Sequence, residues 1–67
     1  MTDHRELSRE DLEVLRLLAT GLSLKSVAWR LQLSERTVRR RMRSVCDQLE
    51  LGTPIEAVVW AARRDLL

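Results

Sequence analysis

The sequence predicts an all-α fold, a compact four-helix domain with a central helix-turn-helix. Three observations carry that expectation. Apolar residues recur at helical spacing in four separate runs. A hydroxyl residue stands ahead of each run, at Ser8, Ser23, Ser34 and Thr53, where it can cap a helix. Only "QLS" separates the second run from the third, which is enough for a tight turn and no more.

The first helix starts in "LSREDLEVLRLLATG". Ser8 is the N-cap, and Asp11 at the third helical position completes an aspartate form of the capping box. Leu7 and Leu12 stand at the positions of a hydrophobic staple, while Val14, Leu15, Leu17 and Leu18 continue a broad apolar stripe. Gly21 follows the periodic run, where a left-handed residue stops a helix. The second helix is short and capped by Ser23. Val27, Ala28 and Leu31 form its buried face, with Leu24 extending it by a turn. Leu33 is expected to plug the core beneath the turn.

The third helix, about 35–50, places Val38, Met42, Val45 and Leu49 on one inward stripe. Arg36, Arg39, Arg40, Arg43 and Asp47 recur on the opposite side, with Arg41 at the boundary. The fourth helix, about 54–65, opens with Thr53 as N-cap, Pro54 at its first position and Glu56 closing a second capping box. Gly52 ends the third helix or breaks the linker. Ile55, Val58, Val59, Trp60, Ala61 and Ala62 cover more than one face, which implies a self-association surface or a dense small core. Arg63 and Arg64 suit the negative end of the helix dipole.

Charge and composition narrow the function. The net charge is only +2, yet Ser34 to Val45 holds five arginines and one glutamate, or +4, leaving the remainder at −2. Two tryptophans and no Phe or Tyr argue against a stacking platform for single strands. Cys46 is the sole cysteine, so it forms no internal disulfide and is expected to pack as a small, half-buried residue. His4, in the leader at 1–6, reads as a surface residue. The N-terminal stretch has no apolar segment of a signal peptide, and no run is long enough to span a membrane, so a cytoplasmic protein is expected. No cofactor or metal is expected. Nor is an enzyme: Asp11, Glu13, Glu35 and Asp47 fall at caps or on helix surfaces, and no nucleophile–histidine arrangement or glycine-rich phosphate loop occurs.

Two short helices joined tightly, the second with a basic outward face, suit a reader of double-stranded DNA whose third helix enters the major groove. Arginine forks match guanine edges and phosphate oxygens. Arg39, Arg40 and Arg43 are placed to reach bases. Ser23, Lys25, Ser34, Arg36, Thr37 and Arg41 are placed for the sugar–phosphate backbone.

These residues also carry a family resemblance. Leu7, Ser8, Glu13, Val14, Leu15, Leu18, Ala19, Gly21, Ser23, Lys25, Val27, Ala28, Leu31, Leu33, Ser34, Thr37, Val38, Leu49, Ala57 and Val58 form an ordered set similar to the LuxR-type (GerE-like) DNA-binding domain. The resemblance covers Leu7 to Leu67. It implies a four-helix domain without a wing, recognition by the third helix, and binding of pseudo-palindromic promoter DNA as a homodimer through the fourth. By position, Arg39, Arg40 and Arg43 match the family's base-facing sites, and Lys25, Ser34, Arg36 and Thr37 its backbone-contacting region. The chain departs from the family's common residues at Leu24, Trp29, Arg39, Arg41 and Leu49 to Gly52.

The resemblance also implies an upstream sensory domain, for which the chain has no room, so the expectation is either an excised effector domain (7–67 after the leader) or a small protein governed by its abundance, a partner or oligomerisation. An alternative function is a protein-interaction adaptor of the same fold that binds RNA polymerase, a sigma factor or another regulator. Its surface would be Trp29 together with Ile55, Val59, Trp60 and Ala62. Trp29 is expected to pack on a neighbouring helix or the leader, or else to dock another protein.

Overall fold

Each apolar run becomes a helix in the computed structural model, which describes residues 7–67. In order they are α1 (Arg9–Ala19), α2 (Leu24–Leu31), α3 (Glu35–Leu49) and α4 (Pro54–Arg63). The leader and His4 lie outside the described residues. No strand occurs among the described residues, in keeping with the all-α expectation.

All four predicted caps form. The Ser8 hydroxyl accepts the Asp11 amide at 3.0 Å, and the Asp11 carboxylate accepts the Ser8 amide at 3.2 Å. Ser23 accepts from the Ser26 amide at 3.1 Å and Ser34 from the Thr37 amide at 3.0 Å. Thr53 and Glu56 close the second box, and Glu56 Oε1 accepts the Gly52 amide at 2.7 Å as well. Each bond satisfies a helix-end amide that would otherwise have no partner.

The helix stops depart from expectation at two places. Gly21 is left-handed at φ 100°, as its position after α1 predicts. The end of α3, however, falls at Leu49, one residue before the predicted end, where Glu50 turns to φ 59°, and Gly52 acts as a donor to the next cap. Gln32 ends α2 in the same conformation. In both cases the following amide closes a Schellman-type bond, Leu33 to the Ala28 carbonyl at 2.9 Å and Leu51 to the Cys46 carbonyl at 2.8 Å. A side chain in this region costs about 1–2 kcal/mol, which the closing bonds and the packing of the next helix offset. Likewise α4 ends at Arg63, short of 65, because Asp65 turns to φ 57°.

The helices meet on one core. Val14, Leu15, Val27, Val38, Val45, Ala57 and Ala61 are completely buried, with Ala28, Met42, Cys46 and Leu49 nearly so. Cys46 is thus more deeply placed than half-buried. α2 packs on α3, and α1 packs on all three others, while α2 and α4 do not pack on each other. The small residues Ala57 and Ala61 are the fully buried contacts of α4.

Two predicted packing residues lie outside this core. Leu33 is 38% exposed: it lines a shallow surface groove with Leu22 and Trp29 instead of plugging the turn. Trp29 is 83% exposed and does not pack on the core, while its expected contact with the leader lies outside the described residues. It stands two residues from both Val27 and Leu31, so the 100° step per residue turns it away from the face they bury.

Candidate nucleic-acid interface

The same periodicity that buries Val38, Met42, Val45 and Leu49 turns the arginines outward. Arg36, Arg39, Arg40 and Arg43 are all exposed. Arg39, Arg40 and Arg43 come together around one surface groove, whose apolar floor includes Leu24, Met42 and Leu51. Leu24 comes from the first turn of α2, so this groove joins both helices of the helix-turn-helix. Sequence reasoning assigned Leu24 to the α2 core face. It is half-buried and packs against the core while also lining the groove.

Arg39 is not an unattached side chain. Its Nη2 donates to Glu35 Oε2 at 2.8 Å, four residues earlier on α3. Glutamate ahead of arginine at this spacing is the favourable order on a helix, and Glu35 in the first turn also suits the helix dipole. The pairing was legible from the spacing of the two residues but was overlooked.

The hydroxyl residues are mutually oriented. The Ser34 hydroxyl donates to Thr37 Oγ1 at 2.8 Å while accepting the Thr37 amide, which leaves the Thr37 O–H as the donor to an outside acceptor. Ser23 makes the corresponding bond to Ser26 at 3.2 Å. Ser26 therefore joins Ser23 and Lys25 at the exposed start of α2, a member that sequence reasoning missed.

Arg41 is placed differently from the other arginines. It is half-buried, and its Nη1 donates to Asp11 Oδ1 at 3.4 Å across the α1–α3 contact. Its Nε is buried without a hydrogen-bond partner. Near the far end of α3, burial raises the Cys46 thiol above its ordinary pKa, with Asp47 and then Glu56 adding to the rise.

The proposed partner surface divides in two. Ile55 is 71% exposed, and Val59 and Ala62 are exposed on the same face of α4 at i, i+4 and i+7. Trp29 lies on α2, which does not touch α4. Trp60 is half-buried against the core, with the Arg64 guanidinium 4.3 Å from its ring centroid, so it serves the fold as much as the surface.

Residues 5–61 match the model of the family described as bacterial regulatory proteins, luxR family. The chain belongs to this family. As a LuxR-family member it is a helix-turn-helix domain for sequence-specific DNA binding in transcriptional regulation. It is 36% identical over 62 residues to the transcriptional regulatory protein YdfI of Bacillus subtilis, covering 92% of this chain and 29% of that protein. It is 33% identical over 58 residues to the nitrate/nitrite response regulator protein NarL of Escherichia coli, covering 87% of this chain and 27% of NarL. A third relative, the fimbriae Z protein of Salmonella typhimurium, is 34% identical over 61 residues, with 91% of this chain and 29% of that protein covered. The LuxR-family chain thus spans less than a third of these relatives. No helix among its described residues is long and apolar enough to cross a membrane.

Proposed function

We propose that α3 lies in the major groove with Arg39, Arg40 and Arg43 at base edges. The observation that carries this reading is their convergence on one exposed groove that flanks the core stripe of α3. Ser23, Lys25, Ser34, Arg36 and Thr37 take phosphate oxygens around it, and Arg41 contributes from the flank. The helix N-terminus behind Ser34 adds a favourable field for a phosphate. Two copies associate through Ile55, Val59 and Ala62 and read a pseudo-palindromic promoter site in the cytoplasm. Regulatory input reaches the domain from a sensory domain or a protein partner.

Selection from a randomised duplex library at two salt concentrations tests this reading, with an Arg39/Arg40/Arg43 triple-alanine variant beside it. Recovery of a palindromic motif that the variant loses is the expected result. Each base-reading arginine should be worth about 1–3 kcal/mol of discrimination. Uniform, salt-sensitive binding to every duplex would refute sequence reading by the isolated chain.

A second reading is favoured by Trp29, which is 83% exposed and lines a groove with Lys25 and Arg30 of α2. In that reading the fold acts as an adaptor for another protein. DNA binding would then survive Trp29→Ala while partner binding is lost.

A further inference from the structure

Arg39, beside the groove that gathers the arginines, is tied to an acidic residue that lines the neighbouring groove with Trp29. Glu35 is the first residue of α3, between Ser34 and Arg36, and its carboxylate is held 2.8 Å from Arg39 Nη2. Its side chain is 38% exposed and that of Arg39 is 63% exposed. An exposed pair of this kind contributes little to folding, so stability gives it no strong purpose. Its position is the informative feature. Four of the residues assigned to phosphate contact, Ser34, Arg36 and Thr37 on α3 and Lys25 on α2, surround it in sequence or line a groove with it.

We propose that Glu35 is a specificity-determining residue that acts through Arg39, which rests on the reading of Arg39 as a base reader. A guanidinium has five N–H donors in a rigid fork. With Nη2 held by Glu35, Arg39 is restrained beside the groove and keeps further donors for a guanine edge. At a matching base, Arg39 serves the base and Glu35 together, so the carboxylate remains neutralised. At a mismatched base, Arg39 gains most by swinging to a phosphate. That movement leaves Glu35 negative and unpaired beside the DNA backbone. Glu35 therefore penalises the non-specific mode, a repulsive element that sharpens discrimination without requiring a contact of its own.

The test uses fluorescence anisotropy of the full chain on its selected duplex and on a scrambled duplex, across a salt series. Glu35→Gln should bind the scrambled duplex about three- to tenfold more tightly, since one repulsive charge is gone. Affinity for the selected duplex should change less, so the specificity ratio should fall by a similar factor. The salt slope on scrambled DNA should steepen by up to about one, as Arg39 more fully takes the phosphate that its pairing with Glu35 otherwise discourages. Glu35→Asp keeps the charge and shortens the reach, so it should retain weak scrambled binding while losing some affinity for the selected site. In the Arg39→Ala background, Glu35→Gln should no longer change the ratio. Equal tightening on both duplexes, or a changed ratio that persists without Arg39, would overturn the proposal while leaving the arginine reader intact. Absence of any duplex preference in the unaltered chain would overturn both.

Discussion

Arg41 of α3 reaches Asp11 of α1, Nη1 to Oδ1 at 3.4 Å, and so ties α3 to the capping box that starts the first helix. The same carboxylate accepts the Ser8 amide through its other oxygen. One aspartate thus closes a local turn and a contact spanning thirty residues in sequence. Asp11→Ala should lower stability by about 1–2 kcal/mol, because it removes a cap bond and leaves a half-buried guanidinium without its partner. Urea unfolding of Asp11→Ala, Arg41→Ala and the double variant checks this. The double variant should cost less than the two single changes added together.

Arg41 should also separate from its neighbours in DNA binding. Its inward pairing leaves less of it to meet DNA than the exposed Arg40. Arg41→Ala should reduce stability more than Arg40→Ala, and Arg40→Ala should reduce operator affinity more. Melting and anisotropy on both variants would test that inversion, and equal effects on both measurements would contradict it.

Hydrophobicity alone is a poor guide to which residues hold this fold. Trp29→Ala should leave unfolding within about 0.5 kcal/mol, since the ring is 83% exposed. Leu15→Ala, at a fully buried position, should cost about 2–5 kcal/mol, a large part of what so small a domain possesses. Thermal denaturation followed by circular dichroism distinguishes the two.

The exposed face of α4 should govern association without governing folding. Ile55→Glu places a charge on a residue that is already 71% exposed, so the monomer should melt nearly unchanged. Sedimentation with a palindromic duplex should show loss of the two-copy complex while a half-site is still bound. Retention of that complex would place the association surface elsewhere.

Cys46 gives a pH dependence with a definite sign. Burial, then Asp47 and Glu56, hold its folded pKa above the ordinary 9.0. The unfolded thiol therefore loses its proton first as pH rises, and the unfolded state binds fewer protons. Stability associated with the neutral thiol should be complete below pH 9.0 and decline above it. Cys46→Ala should flatten that alkaline decline in a urea series. The native thiol should also react slowly with a disulfide reagent near neutrality.

The sequence by itself determined where the helices begin and which way the arginines face. Both are local matters: Ser8, Ser23, Ser34 and Thr53 cap amides within the next turn, and the 3.6-residue period sets Arg39, Arg40 and Arg43 opposite Val38, Met42 and Val45. The Glu35–Arg39 pair belongs to the same local class. Tertiary structure alone decided that Gln32 and Glu50 would turn left-handed without being glycine, that Leu33 would stay at the surface, and that Arg41 would find Asp11. It also separated Trp29 from the α4 stripe. Those outcomes depend on which helix faces meet and how much space remains between them, and no spacing within a single helix encodes that.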